Sequence, residues 1–420
     1  MKKIVLCLSV IFALFALVSC KDDVVKNIDT DENANANKEI IVEDWYFFRT
    51  YDGGNFQISH GINRKSPIKI NPVSKNATFI CIDPLCNHDG IDCPLFGSGT
   101  MYIAGNYLFY TSGIIWNDAY TGEQLGSVIL YAYDMLNGNT RQIVEYKDKL
   151  IIAGGAANYL YYYIAQYNEE DSRLVTYTLH RADAKSGNII EIGDYSYEGE
   201  MQGNINYPNI YTIIDNKIYW WSSSEDVDGA FYTTDLDGKN RKDIDLKAGI
   251  FYIAGILSKY DNGYAYYTMS NRTPFGGEYE FGSAMRDNRL FRILLDDGVE
   301  LELIAESVIT YALCGDKIYY TVLEENPKHI EYPEVETWNW SGGKVYVMNS
   351  DGTDKKLVCE TGYDLSDYRE HGFFEVKTID GIDYIAVSYT ILVSDRFAPS
   401  SDTLIINAST GEYTVVSVPE

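Results

Sequence analysis

The sequence predicts an all-β fold, a β-propeller of seven four-stranded blades. An aromatic-rich strand recurs along the chain, a Gly-containing turn follows most copies at similar spacing, and long helical periodicity is absent. The repeated strands read Asn106-Tyr107-Leu108-Phe109-Tyr110-Thr111, Asn158-Tyr159-Leu160-Tyr161-Tyr162-Tyr163, Asn216-Lys217-Ile218-Tyr219-Trp220-Trp221, Gly263-Tyr264-Ala265-Tyr266-Tyr267-Thr268 and Asp316-Lys317-Ile318-Tyr319-Tyr320-Thr321. Self-similarity at a period of tens of residues marks a repeat architecture. The turns are Asn137-Gly138, Ser186-Gly187, Asp237-Gly238, Asp297-Gly298, Asp351-Gly352 and Thr410-Gly411, whose glycines lie 49, 51, 60, 54 and 59 residues apart by subtraction. Asp-Gly and Asn-Gly are strong hairpin signals, because tight turns that match strand twist need positive φ. A less regular first copy starts at Trp45-Tyr46-Phe47-Phe48 and turns near Lys75-Asn76, giving seven; six or eight blades are compatible with the same signals.

The chain opens with Lys2 and Lys3 and an apolar run from Ile4 to Val18, ending Leu17-Val18-Ser19-Cys20. A basic start, a short apolar core and small residues before a cut describe a secretory signal over residues 1–19, too short to remain as a membrane span. The cut before a cysteine resembles the lipobox of bacterial lipoproteins. That resemblance implies that Cys20 carries acyl chains, and several chains on one residue hold a protein stably at a bilayer. The following Lys21-Asp22-Asp23 resembles the acidic export tag of surface lipoproteins in Bacteroidota. The expected location is therefore outside the cytoplasm, anchored by lipid to the outer membrane and exposed at the cell surface if that tag operates.

Residues 20–38 contain Asp, Glu, Asn and Lys and almost nothing apolar, a composition too poor in burial to offset ordering entropy. They are expected to be a flexible tether to a folded domain over residues 39–420. That length exceeds a usual single core, which repeat folds evade because each unit packs only on its neighbours. The net charge is −27, or −29 once Lys2 and Lys3 leave with the signal. Nucleic acid is excluded as a partner, since phosphate binding needs a basic face. A cationic partner or divalent ion fits better, and solubility alone also accounts for the charge.

Tyrosine is 37 of 420 residues. Sheets stacked face to face cover their middle strands on both sides, so these strands read as continuous apolar runs. Tyrosine fills such a space with its ring while its hydroxyl reaches a partner. Within the repeated strands the core role is favoured over a platform for sugars.

Ile218-Tyr219-Trp220-Trp221-Ser222 followed by Phe231-Tyr232-Thr233-Thr234-Asp235-Leu236-Asp237-Gly238 resembles the YWTD blade of low-density-lipoprotein-receptor-type propellers. Lys317-Ile318-Tyr319-Tyr320-Thr321 with Val345-Tyr346-Val347-Met348-Asn349-Ser350-Asp351-Gly352 looks like another copy. Extracytoplasmic propellers similar to TolB carry the same Asp-Gly hairpin. The sequence departs from the YWTD pattern, since no blade keeps an aspartate straight after the aromatic-Thr pair. The resemblance implies a fold and a habit of binding proteins or ligands, with no activity attached.

The sharpest local chemistry is Cys81-Ile82-Asp83-Pro84-Leu85-Cys86-Asn87-His88-Asp89-Gly90-Ile91-Asp92-Cys93. Three thiols and an imidazole suit a tetrahedral Cys3His zinc site. An oxidising compartment favours a disulfide instead. The residues leave three states open: a disulfide plus one free thiol, a metal site, or reduced thiols; the disulfide or the metal would staple the loop, and nothing resembles a catalytic zinc helix. Cys314 and Cys359 read as small core hydrophobes, with a bridge between them open. Asp235 to Asp243 spaces oxygen ligands like part of a Ca²⁺ loop, but lacks the acid of the twelfth position and reads as a hairpin.

No GxSxG, HExxH, GxGxxG or Walker loop occurs, so an enzyme and a cofactor are not expected. A hydrolase or lyase would need acids, or His371, gathered around a central channel. Binding is expected on the long insertions, because loops on a rigid scaffold carry function. Residues 269–288 contain Arg272 and Phe275; residues 324–343 contain Tyr332, Trp338 and Trp340 outside the repeat pattern. Arg and aromatic anchors suit an interface. The expected function is an envelope lipoprotein acting as a protein-binding or scaffold module; a surface protein binding glycans through Trp338 and Trp340 is the alternative.

Overall fold

The structure is a computed structural model describing residues 41–49, 66–88, 93–95, 99–113, 115–117, 124–167, 174–192, 197–200, 209–214, 216–224, 227–244, 257–261, 263–269, 289–294, 302–322, 328–331, 336–339, 343–363, 365, 374–393, 396–400 and 402–419. All of these belong to the unit Ile41–Glu420. Its described residues are almost entirely antiparallel β-sheet, mostly in four-stranded sheets of adjacent strands.

The first sheet follows a one-turn helix, α1 (Val42–Trp45), and pairs β1 (Phe47–Arg49), β2 (Ile68–Asn71) and β3 (Asn76–Phe79). Each repeat has room for four strands, and among the described residues this sheet has three. The amides that precede β1 bond elsewhere: Val42 N donates to Asn106 Oδ1 (2.5 Å) and Glu43 N to Gly105 O (3.1 Å). Those partners sit on a turn of the second sheet, where Val42–Trp45 forms one helical turn.

The second sheet is β4 (Met101–Ala104), β5 (Tyr107–Ser112), β8 (Val128–Asp134) and β9 (Thr140–Tyr146), with a hairpin of β6 (Ile115–Asn117) and β7 (Gln124–Gly126) between β5 and β8. The third is β10 (Lys149–Ala156), β11 (Tyr159–Tyr167), β12 (Leu174–Asp183) and β13 (Ile189–Glu191), and β14 (Tyr197–Glu200) pairs with the start of β12. The fourth runs β15 (Asn209–Ile214), β16 (Lys217–Ser224), β17 (Val227–Asp235) and β18 (Lys242–Ile244). The fifth runs β19 (Leu257–Asp261), β20 (Tyr264–Met269), β21 (Arg289–Leu294) and β22 (Glu302–Glu306). The sixth is β23 (Val308–Cys314), β24 (Lys317–Val322), β27 (Lys344–Asn349) and β28 (Lys356–Glu360), with β25 (Lys328–Glu331) and β26 (Glu336–Asn339) inserted. The seventh is β29 (Phe374–Ile379), β30 (Ile382–Val387), β33 (Thr403–Asn407) and β34 (Tyr413–Val416), with β31 (Thr390–Val393) and β32 (Arg396–Pro399) inserted.

The aromatic strands form the cores between sheets. On β11, Tyr161 and Tyr163 pack with Trp220 of β16, while the intervening Tyr162 packs with Phe109 and Leu130 of the second sheet. All three tyrosines are fully buried. Successive side chains on a strand point to opposite faces, so a strand covered on both sides buries every residue. Further clusters join the first sheet to the second, the fifth to the sixth, and the sixth to the seventh. Phe47, Ile68 and Ile70 of the first sheet pack with Ile379, Tyr384, Ala386 and Ile405 of the seventh. The first strands β4, β10, β15, β19, β23 and β29 lie side by side in succession, each hydrogen-bonded only within its own sheet.

A polar clamp repeats between sheets. Tyr161 Oη and Arg181 Nη1, from the middle strands of the third sheet, both donate to Leu236 O in the Asp-Gly turn of the fourth (2.9 and 3.1 Å). Tyr266 Oη and Arg292 Nη1 of the fifth sheet donate to Ser350 O in the corresponding turn of the sixth (3.2 and 2.9 Å). Each guanidinium lies over a neighbouring ring, Arg181 over Tyr159 and Arg292 over Tyr264. Arg181 also pairs with Asp237 at 2.7 Å. Arg181→Ala is expected to lower stability by about 1.5–3 kcal/mol, the range for hydrogen bonds made by charged groups. Urea denaturation checks this; a loss near zero would mean that water replaces the clamp without cost.

Cys314 and Cys359 do not form the bridge left open by the sequence. They stand on the first and fourth strands of the sixth sheet, separated by β24 and β27, and both are free thiols.

Candidate functional site

The Cys81–Cys93 loop leaves the outer strand β3 and is folded into the core between the first and second sheets. Cys81, Cys86 and Cys93 belong to one cluster with Phe48, Ile80, Leu95, Met101, Leu108 and Tyr133. Their exposures are 4%, 8% and 3%, so these thiols are interior groups. Local bonds set the path. Cys81 N donates to Ser66 Oγ (3.3 Å), and Ile82 N donates to Tyr133 Oη of the second sheet (3.0 Å). Asp83 Oδ1 accepts from Leu85 N and Asp83 O from Cys86 N, closing a turn that returns the chain to the core. His88 has φ +63°, which reverses the chain again, and its carbonyl accepts from Ser66 N at 2.7 Å. His88 N donates to Cys86 Sγ at 3.3 Å, and the imidazole stacks on Phe79 with centroids 4.3 Å apart.

As a result the four sequence-predicted side chains converge: one ligand atom each from Cys81, Cys86, His88 and Cys93 lie within 4.8 Å of one another. None of the three cysteines is in a disulfide. His88 Nδ1 is buried and has no hydrogen-bond partner among the described residues. The thiols are electrostatically unequal. A hydrogen bond from Cys93 pulls the Cys81 thiol down to about 5, while the same bond and burial push Cys93 upward, and burial raises Cys86. A groove of about 470 Å³ lined by Lys69, Phe79, Cys81, Asp83 and His88 runs past the cluster. The arrangement can hold a soft cation or store a reactive thiolate.

A second polar cluster, which the sequence did not reveal, lies between the sixth and seventh sheets. Tyr319 Oη donates to Asp383 Oδ2 (2.6 Å), Thr378 Oγ1 donates to Asp383 Oδ1 (2.7 Å), and Lys317 Nζ stands 3.3 Å from Oδ2. A groove of about 250 Å³ passes Lys317, Tyr319, Asn349, Lys356 and Asp383. Its residues come from four separated segments, and no spacing in the sequence brings them together. Burial opposes the charged form of Asp383, but bonds from Tyr319 and Thr378 and the Lys317 charge outweigh it and hold the carboxyl below its ordinary 3.8. A depressed folded value means that the stability Asp383 contributes is present above the unfolded value of 3.8 and is lost as pH falls through the lower folded value. Asp383→Asn is expected to flatten this acid limb of a stability-against-pH curve measured by thermal unfolding; an unchanged limb would assign the dependence to other carboxylates.

The other sequence-predicted groups fall differently. His180 stacks on Tyr162 (5.5 Å) and its Nδ1 contacts Thr178 O (3.1 Å), with burial lowering its basicity, so it is a structural residue. The Asp235 carboxylate, considered for calcium, accepts from Asp237 N, Lys239 N and Asn240 Nδ2, which is hairpin chemistry. Trp338 lies on β26, its backbone opposite His329 in the inserted hairpin. Cys20, Arg272, Phe275, Tyr332, Trp340 and His371 lie outside the described residues. No described helix is long and apolar enough to cross a membrane.

The strand connections differ between the two ends of the second, fifth, sixth and seventh sheets. First-to-second connections are two-residue turns such as Gly105-Asn106, Ala157-Asn158, Gly315-Asp316 and Asp380-Gly381. Second-to-third connections emerge at the opposite end and span residues 113–127, 270–288, 323–343 and 388–402 in the second, fifth, sixth and seventh sheets, and the β1–β2 connection of the first sheet spans 50–67. Three of them contain the inserted hairpins, and β14 extends the third sheet at that same end.

No family model matches the chain, and no curated protein matches it. Among solved structures it is similar to an oligogalacturonate lyase from Vibrio parahaemolyticus, at 13% identity and TM-score 0.44 over 90% of this chain and 92% of that one. It is also similar to the β-propeller domain of the trilobed protease from Pyrococcus furiosus, at 12% identity and TM-score 0.38 over 77% and 95%. An uncharacterised protein from Listeria monocytogenes is similar at 10% identity and TM-score 0.34 over 74% and 91%.

Proposed function

We propose that the protein is a lipid-anchored envelope module whose domain is a closed seven-bladed β-propeller, and that it binds another envelope protein through one elaborated face. Support for the ring comes from cores that join successive sheets, and from the cluster that links the first sheet to the seventh. In such a ring all second-to-third connections emerge on one face. The observation that carries the binding role is the concentration of insertions there, against shorter turns at the other end. Loops on a rigid scaffold can change without disturbing the core, and long ones are mostly functional. The strong negative charge suits a partner with a basic patch. Cys20 supplies the anchor and residues 20–38 the reach.

The test is chemical cross-linking of the full-length protein in its native envelope, beside a variant whose β6–β7, β25–β26 and β31–β32 hairpins are each replaced by an Asn-Gly turn. A stoichiometric protein partner captured by the parent and lost by the folded variant is expected. Absence of a partner with the parent would overturn the scaffold reading. Retention of the parent on a polysaccharide column that depends on Trp338 and Trp340 would move the assignment to glycans.

A further inference from the structure

We propose that Cys81, Cys86, His88 and Cys93 bind one zinc ion as a structural Cys3His centre that fastens the first sheet to the second. The donor set is the first argument. Three thiolate sulfurs and one imidazole nitrogen form a standard tetrahedral zinc shell, and hard oxygen-seeking cations do not favour it. Geometry is the second. Zinc–sulfur bonds of about 2.3 Å put tetrahedral sulfurs about 3.8 Å apart. The four donor atoms already lie within 4.8 Å of one another, so closing the shell needs shifts of side chains only.

Burial is the third argument. A polar atom buried without a partner costs free energy, and native interiors rarely tolerate one. His88 Nδ1 is such an atom among the described residues, in a ring clamped by Phe79 and by the backbone bond to Ser66. A metal on Nδ1 satisfies it. A disulfide between any two of the cysteines would instead consume two donors and leave Nδ1 unmatched. The N–H of His88 directed at Cys86 Sγ is the outer support that a metal-bound thiolate uses.

Position supplies the role. The loop reaches the cluster from β3, Cys81 and Cys86 pack against Tyr133 and Leu108 of the second sheet, and Tyr133 Oη holds the Ile82 amide. Binding displaces up to three thiol protons and transfers no electrons. Zinc with three thiolates carries a net −1, and Lys69 on the adjoining groove offsets it. That groove is also the entry path.

The test uses the full-length protein purified without added metal. Elemental analysis is expected to give one zinc per chain, and exchange with cobalt(II) to give the intense visible bands of tetrahedral cobalt with sulfur-to-cobalt charge transfer. His88→Ala should retain the fold, weaken those bands and raise zinc off-rates at least tenfold, read with a chromophoric chelator. Stripping zinc from the parent should lower Tm by several degrees, and readdition should restore it. Cys93→Ser tests the thiolate count if it folds; the stripped parent keeps the proposal testable if it does not. A disulfide among these cysteines by mass spectrometry, metal-free thiols, or stoichiometric iron or copper would each overturn the zinc assignment.

Discussion

Trp220→Ala is expected to lower unfolding stability by about 3–5 kcal/mol, the range for truncating a buried large aromatic. Trp220 is fully buried between the third and fourth sheets, among Tyr161, Tyr163, Tyr177 and Ile218. Its indole stacks on Tyr232 with centroids 6.1 Å apart, and Nε1 donates to Thr234 Oγ1 at 2.8 Å. Alanine removes the ring from both sheets at once, and the surrounding strands cannot collapse into the space because their registers are fixed by ladders on either side. Trp220→Phe should cost less, since it keeps most of the apolar volume and loses the Thr234 bond. Urea midpoints for the two variants check the order. A Trp220→Ala loss below about 1 kcal/mol would show that the core there relaxes freely, against the packing density expected of interiors.

The same residue shows why so much of the fold was legible. A strand buried on both faces must be apolar throughout, and Ile218-Tyr219-Trp220 declares that burial without reference to any partner. Asp-Gly turns were legible for a similarly local reason, because positive φ selects glycine. The clamps were not. Arg181 and Arg292 are single cations within strands, and the carbonyls that they reach lie 55 and 58 residues further on. Asp383 likewise draws on Tyr319 and Lys317, which lie on a different sheet. In the Cys81–Cys93 loop the donor types were readable but their convergence was not. Convergence depends on the left-handed backbone of His88 and on Tyr133 holding Ile82, and neither follows from cysteine spacing. The start of the first sheet was hidden for the opposite reason: Trp45-Tyr46-Phe47-Phe48 has strand composition, yet Val42–Trp45 forms a helical turn whose first amides bond to the Gly105-Asn106 turn.

Gly411→Ala is expected to cost about 2–5 kcal/mol, because two penalties of different origin fall on one atom. The first is local. Gly411 has φ +72°, and an L-residue held there loses about 1–2 kcal/mol through contact of Cβ with its own backbone. The second is an encounter between sheets: a Cβ at Gly411 would stand 2.5 Å from Val358 O, on the outer strand β28 of the sixth sheet. Val358 O is backbone, so relief requires the sixth and seventh sheets to part. Overpacking of that kind costs about 1–3 kcal/mol. Gly381 separates the two effects. Its φ is +77°, nearly the same, yet no atom lies within 4 Å of its Cβ position. Gly381→Ala should therefore show the local penalty alone, and the difference between the two variants reads the close approach directly. Gly352, with φ +83° and a Cβ position 2.8 Å from Ile304 O, should behave like Gly411. Equal losses at Gly381 and Gly411, measured by urea unfolding, would mean that the turn glycines serve only their own hairpins. A larger loss at Gly411 and Gly352 would mean that they also set the spacing between neighbouring sheets, a second constraint on glycine at the turns that mark the repeat.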